Sequence, residues 1–216
     1  MEDSNQYLES INEIRSIMER SSKFMSLSGL SGIAAGITAL VSGTIAWFYL
    51  GSTWKHEGSF NFNELTQPHA IHEKIVFLMA LAAVTILIAL IFAYLFTRRN
   101  AKRKNLPIWD KTAKLLTFSM SVPLITGGLF ILALVLKFGM YGLAAPAMLI
   151  FYGLALVNAS KYTVSHTQWL GLAEIATGLV ALVFSSYGLL FWMVGFGIFH
   201  IIYGIVLYNQ YEKSHS

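Results

Sequence analysis

The chain of 216 residues is 56% hydrophobic and 12% charged, and it has a formal net charge of +4. Soluble domains carry about 25% charged residues, so this composition excludes an ordinary water-soluble domain and indicates that lipid is the solvent. The lack of cysteine excludes disulfides, thiolate catalysis and cysteine metal sites. The positive charge does not indicate nucleic acid binding, because the basic residues cluster where membrane topology would put them.

Residues 1–24 are predicted to form a cytoplasmic amphipathic helix. The segment is acidic and polar where a secretory signal peptide would be basic. Its apolar residues recur at steps of three and four, which is the helical period: Leu8, Ile11, Ile14, Ile17 and Met18. We expect this helix to lie on the membrane surface or to pack on the bundle. A dedicated partner-binding helix is the alternative.

The rest of the chain predicts an all-α membrane protein with six transmembrane helices. A spanning helix needs about 20 apolar residues, and residues 26–50 and 75–97 each supply one. Two longer apolar regions each allow a helical hairpin, with breaks at 137–142 and 185–188. The predicted units are a first hairpin over 25–98 with an outer loop at 51–74, a basic cytoplasmic loop over 99–114, a second hairpin over 115–160, and a third hairpin with a short cytoplasmic tail over 161–216.

The basic residues predict the orientation of these spans. With both termini in the cytoplasm, 12 of the 15 Lys and Arg residues lie inside, and the outer ones are Lys55, Lys74 and Lys137. This asymmetry follows the positive-inside rule and predicts a multi-pass membrane protein with both termini in the cytoplasm.

The outer loop contains a weak candidate metal site in "HAIHEK". His69, His72 and Glu73, assisted by His56, have side chains that bind divalent metals. The alternative is a solvated loop, and we expect no metal and no cofactor.

The run "RRNAKRKN" supplies most of the charge asymmetry. It is interpreted as a topology anchor or as a contact for anionic lipid or a partner protein. Its basic residues are Arg98, Arg99, Lys102, Arg103 and Lys104.

The three hairpins are predicted to be parallel copies of one unit. Their first helices share an Ile-x-x-Gly-(Ile/Leu) pattern that begins at Ile33, Ile125 and Ile175. In each second helix a tyrosine precedes an asparagine by six residues, and these tyrosines are Tyr94, Tyr152 and Tyr203. The pattern's glycines, Gly36, Gly128 and Gly178, are expected to let neighbouring helices approach closely.

The third hairpin departs from the repeat at Glu174 and His200. At the first position the other copies have Gly32 and Leu124, and at the second they have Ile91 and Leu149. Both residues lie 13 positions from the predicted turn near 187, so an antiparallel hairpin would hold them at one depth.

A charge at mid-membrane costs about 2.5–3.5 kcal/mol, and this cost leaves three interpretations of Glu174. One is a polar lock between helices, another is a proton, ion or ligand site, and the third is a side chain that reaches the inner interface. The candidate polar site comprises Glu174, His200, Thr177, Tyr203 and Tyr152.

The glycine-punctuated hairpins, the helix "WMVGFGIFHIIYGIVLY" and Pro146 early in "LAAPAMLIFYGLALV" resemble the HdeD-like acid-resistance membrane proteins of bacteria. The resemblance covers about residues 115–208. It implies a six-span inner-membrane protein linked to envelope or acid stress, with no catalytic residues to carry over. The N-terminal helix and the long first outer loop depart from that family.

Two functions remain open from the sequence. We expect no enzyme, because the chain has no phosphate-binding loop, intramembrane aspartate pair or His-Glu-x-x-His motif. The first function is a non-enzymatic stress or accessory protein that associates with itself or with a membrane protein partner in the lipid. The second is a small proton-coupled channel or transporter that uses Glu174 and His200.

Overall fold

The computed structural model describes residues 28–50 and 68–213, which are almost entirely helical and contain no β-strand. The predicted N-terminal helix and most of the predicted outer loop lie outside these ranges. The described helices are α1 (Gly29–Leu50), α2 (Pro68–Arg103), α3 (Lys111–Leu132), α4 (Ala144–Ala159), α5 (His166–Val183), α6 (Gly188–Trp192) and α7 (His200–Tyr211).

Two π-helical segments extend these helices. Met193–Phe199 joins α6 to α7 in one continuous helix, and Ala133–Lys137 lengthens α3. Short 3-10 turns at Tyr141–Leu143 and Ser185–Tyr187 occupy the two breaks that the sequence predicts.

Five stretches of the described chain are long and apolar enough to cross a membrane. They are Gly29–Leu50, His72–Arg103, Lys111–Lys137, Tyr141–Tyr162 and Ser185–Gln210. The sixth predicted span, α5, has 18 residues and contains His166, Gln168 and Glu174, and it does not meet that standard. The described part of the chain is therefore all-α, and several of its helices are suited to multiple membrane passes.

Helix α2 is longer than predicted at both ends. Its 36 residues include 68–74 of the predicted outer loop and 99–103 of the predicted basic loop. Pro68 is favourable at a first helical position, and Ala, Lys and Arg are good helix formers. The link that remains ends at Asp110, whose side chain accepts a hydrogen bond from the Ala113 amide at 2.6 Å and caps α3.

Glycines bring α4 and α5 into backbone contact. A methyl group added at Gly171 would clash with Gly153 and Val157, and one added at Gly178 would clash with Ile150. Such close approach is the usual basis of helix association in lipid. Helices α5 and α7, which belong to the predicted third hairpin, do not form a tight isolated pair, because α5 packs chiefly on α4 and α7 packs chiefly on α1.

Helices α1 and α7 meet through the same kind of contact. A methyl group at Gly29 would clash with Gly204 and Tyr208, and one at Gly36 would clash with Ile201. These contacts match those of the α4/α5 pair position by position. Adding 142 to the number of an α1 residue gives the matching residue of α5. Subtracting 51 from the number of an α7 residue gives the matching residue of α4.

The predicted role of Gly128 is wrong. A methyl group at Gly128 would meet no atom within 4 Å, whereas one at the neighbouring Gly127 would clash with Phe151 of α4. Helix α3 packs on α4, and this rotation of the helix turns Gly128 away from its neighbours. The Ile-x-x-Gly pattern therefore predicts where a glycine lies in the helix, but it does not predict whether another helix packs against that glycine.

Polar contacts also join α2 to α1 and α4 to α3. Thr85 of α2 donates to Ser42 of α1 at 2.6 Å. Pro123 has no amide hydrogen for the carbonyl of Ser119 one turn earlier, and the Asn158 side chain of α4 donates to that oxygen at 2.8 Å. Asn158, an asparagine of the repeat pattern, thus supplies the hydrogen bond that Pro123 cannot donate.

A candidate proton site between three helices

Glu174 lies on the face of α5 that points into the bundle. It is 0% exposed, and its side chain lies against the π-helical segment. A methyl group at Gly195 would clash with Glu174 Oε2 and with Leu149. Glycine at this position therefore makes the space that the carboxyl group occupies.

His200 follows the π-helical segment and faces Glu174. It is 6% exposed, and its Nδ1 lies 3.4 Å from Glu174 Oε1. The same nitrogen lies 3.1 Å from the carbonyl oxygen of Gly195, five residues earlier on the same helix. The predicted common depth of Glu174 and His200 thus corresponds to direct proximity in the structure.

Tyr152 of α4 completes a cluster that we name the triad, made of Glu174, His200 and Tyr152. The Tyr152 hydroxyl lies 2.7 Å from His200 Nε2. The Gly195 carbonyl can only accept a hydrogen bond, so Nδ1 carries the hydrogen in this arrangement. In the neutral imidazole Nε2 then accepts from the Tyr152 hydroxyl, and both ring nitrogens are satisfied.

The carboxyl group of Glu174 is not satisfied in the same way. Both of its oxygens are buried, and neither has a hydrogen-bond partner among the residues that the structure describes. Most buried polar atoms in proteins are paired, and the hydrogen on His200 Nδ1 is directed to Gly195. Glu174 therefore retains the capacity to bind a proton or to accept a hydrogen bond.

Aromatic rings enclose the imidazole. The Phe196 ring is nearly parallel to that of His200, with centroids 6.0 Å apart, and it lies 4.9 Å from the Tyr152 ring. Apolar walls of this kind strengthen electrostatic interactions by lowering the local dielectric.

The other predicted site residues lie outside the triad. The Tyr203 hydroxyl lies 2.9 Å from Thr167 Oγ1, so Tyr203 joins α7 to the first turn of α5. Thr177 is half-buried on the next turn of α5 after Glu174, and its hydroxyl forms no hydrogen bond to the triad. Of the five residues predicted as one site, three therefore form the triad, Tyr203 contacts Thr167 instead, and Thr177 joins neither group.

The weak metal candidate receives no support from the described side chains. His72 and Glu73 are exposed on α2, while His56 and the side chain of His69 lie outside the described part of the molecule. Among the described residues, no group of three or more His, Cys, Asp or Glu side chains is placed to hold a metal ion.

Sequence reasoning missed a buried acidic residue near the C-terminal end, Glu212. Its carboxylate accepts hydrogen bonds from the Gly29 amide at 2.5 Å and the Ser28 hydroxyl at 3.2 Å, and thereby caps α1. Partial burial lowers the pKa of Lys104, and the negative charge of Glu212 opposes that shift. The sequence clue was an isolated acidic residue next to an apolar helix, but its partners are about 184 residues away.

Most of the residues predicted to contact lipid or a partner lie on the surface of α2. Arg98, Arg99, Lys102 and Arg103 line a shallow open groove together with Leu95. Lys104 is more buried and does not line this groove.

No protein-family model matches the chain, and no curated protein and no solved structure matches it. The resemblance to HdeD-like proteins remains a prediction from the residues that carry it.

Proposed function

We propose that this chain is a non-enzymatic, multi-pass protein of the bacterial inner membrane, with cytoplasmic termini, whose triad binds and releases a proton. In this proposal the protonation of Glu174 sets how closely α5 packs against the π-helical segment. The resulting change reaches a partner protein or a second copy through the exposed helix faces. The observation that carries the proposal is the complete burial of two carboxyl oxygens to which no described residue gives a hydrogen bond.

A purely structural polar lock agrees less well with this geometry. In a lock that stabilises a core, each buried polar atom is expected to have a partner, because an unpaired one costs more than it contributes. His200 and Tyr152 meet that expectation, and Glu174 does not. Acidic groups within membrane-spanning helices commonly mark proton relays and ion pathways.

The matched helix pair supports the same reading. At the position of Glu174 the α1/α7 pair has Gly32, which lies close to the backbone of Gly204. That pair therefore packs through glycines with no carboxyl group at this position. We infer that the carboxyl group serves a role other than helix packing.

The π-helical segment is a further argument for a functional site. Such segments are rare and are frequently found where a helix carries functional groups. Here Met193–Phe199 holds Gly195 and Phe196 against the triad and ends immediately before His200. Its wider turn aligns the Gly195 carbonyl with the His200 ring.

We also infer that the three predicted hairpins are copies of one unit. The position-by-position match between the α4/α5 and α1/α7 contacts supports this inference. The third pair that such a repeat would contain, α2 with α3, has no corresponding contact at Gly128.

The proposal predicts that stability depends on pH through Glu174. A buried carboxylate costs about 3 kcal/mol at mid-membrane, and protonation removes that charge. We therefore expect the full chain in lipid nanodiscs to lose stability as the pH rises. Glu174→Gln, which is similar in size and neutral, should abolish most of this dependence in thermal unfolding.

Glu73→Gln is the matched control, because Glu73 is exposed on α2. It should leave the pH dependence as in the wild type. A folded Glu174→Gln variant with the wild-type pH dependence would refute the proposal.

A proton-coupled channel or carrier is the second candidate function. The observation that favours it is the sequence of contacts from Glu174 to His200 to Tyr152 across three helices, which is an arrangement that proton relays use. Liposomes with an enclosed pH dye separate the candidates. Flux in the wild type that Glu174→Gln abolishes supports transport, and no flux under any imposed gradient removes it.

A further inference from the structure

The C-terminal end of α2 presents four basic side chains beside an apolar one. We call this the basic groove, defined above by Leu95, Arg98, Arg99, Lys102 and Arg103. On a helix, residues three and four positions apart share a face, so the groove follows one face of α2. Among the described residues, Arg98, Arg99 and Lys102 form no ion pair.

An apolar stripe continues the same face toward the middle of α2. It consists of Val84, Ile88, Ile91 and Leu95, which follow one another at steps of four, three and four residues, and each of them is exposed. The next steps of three and four lead to Arg98 and Lys102. One uninterrupted face of α2 is therefore apolar along its middle and basic at its end.

The length of the stripe matches one acyl chain. Val84 and Leu95 are 11 residues apart, which corresponds to about 16 Å of helix. One leaflet contributes about 15 Å of a hydrocarbon core that is about 30 Å thick. A chain lying along the stripe would end with its headgroup at the basic groove.

We propose that this face of α2 binds one anionic phospholipid. Its phosphate lies among Arg98, Arg99 and Lys102, which supply charge and hydrogen-bond donors, and an acyl chain lies along the stripe. An acidic segment of a partner protein would use the charge of the groove but not the apolar stripe. The continuity of the two therefore favours the lipid.

Native mass spectrometry of the full chain in detergent tests this site. We expect phosphatidylglycerol to bind in preference to phosphatidylcholine with the same acyl chains. The triple variant Arg98→Gln, Arg99→Gln, Lys102→Gln should lose at least about tenfold of that preference. These side chains are exposed, so circular dichroism should match the wild type. If the triple variant does not fold, each single substitution should lose about threefold.

The control triple variant Lys111→Gln, Lys114→Gln, Lys161→Gln removes equal charge outside the groove and should retain the preference. Equal loss in both triple variants would mean a general charge effect and would overturn the proposal. Competition by glycerol phosphate at lipid concentrations would assign a phosphate site without a lipid. Competition by an oligoglutamate peptide would assign a protein partner, and either result rejects the phospholipid.

Discussion

The helix pairs α4/α5 and α1/α7 share their glycine contacts but differ at two inward positions. Gly32 of α1 lies close to the backbone of α7, whereas the matching position of α5 has Glu174, which is fully buried. The α1/α7 pair therefore packs closely without a carboxyl group at this position. The carboxyl group is an addition to this packing, and its burial is costly because it has no hydrogen bond within the described ranges 28–50 and 68–213.

The same difference extends to the residues that surround Glu174. Residue 149 on α4 is a leucine and its match on α7 is His200, and both are buried. Tyr152 and Tyr203 are matched tyrosines, yet Tyr152 contacts His200 and Tyr203 contacts Thr167. The same glycine contacts thus accompany the triad in one pair and the Tyr203–Thr167 contact in the other.

The largest expected effect comes from the glycines that both pairs share. Gly171→Leu should prevent α5 from reaching the backbone of α4 and should cost at least about 3 kcal/mol, enough to abolish monodisperse protein in size-exclusion chromatography. Gly128→Leu is the matched substitution at a glycine that meets no atom within 4 Å, and it should leave the elution profile unchanged. An equal loss of monodisperse protein in both variants would show that the glycines in helix contacts are no more important than Gly128.

An intermediate effect is expected at Gly195, where the π-helical segment makes room for the carboxyl group. Gly195→Ala would place a methyl group against Glu174 Oε2 and Leu149 and should cost about 1–3 kcal/mol. In a Glu174→Ala background the same substitution should cost about 1 kcal/mol less, because one of the two clashing groups is absent. A double-mutant cycle of unfolding free energies measures this coupling.

Gly142→Ala is the control for that cycle, since its added methyl group would lie 3.8 Å from the nearest side-chain atom, in Ser185. It should not couple to Glu174→Ala. Strict additivity of the Gly195 and Glu174 substitutions would show that the two residues do not share the space.

The smallest expected effect distinguishes the matched tyrosines. Tyr152→Phe and Tyr203→Phe each remove one hydrogen bond, so each should cost about 1 kcal/mol. Tyr152→Phe should also change the pH dependence of unfolding, because it deprives His200 of a partner, and Tyr203→Phe should not. Identical pH profiles for the two variants would place Tyr152 outside the proton site.

The sequence predicted those features that depend on spacing along one helix. Apolar runs and glycine-rich breaks located the helices and both turns, and equal distances from the turn placed Glu174 and His200 at one depth. Features that depend on helix rotation were not predictable. The contact of Tyr152 with His200, the open position of Gly128 and the cap that Glu212 provides each require knowledge of which faces meet.

The most direct test of the account is infrared spectroscopy of the full chain in lipid, titrated from acidic to alkaline pH. We expect the absorption band of a protonated carboxyl group in an apolar environment to change with pH in the wild type. The band should be missing in Glu174→Gln and retained in Glu73→Gln. A wild-type band that persists unchanged in Glu174→Gln would show that Glu174 is not the proton-binding group.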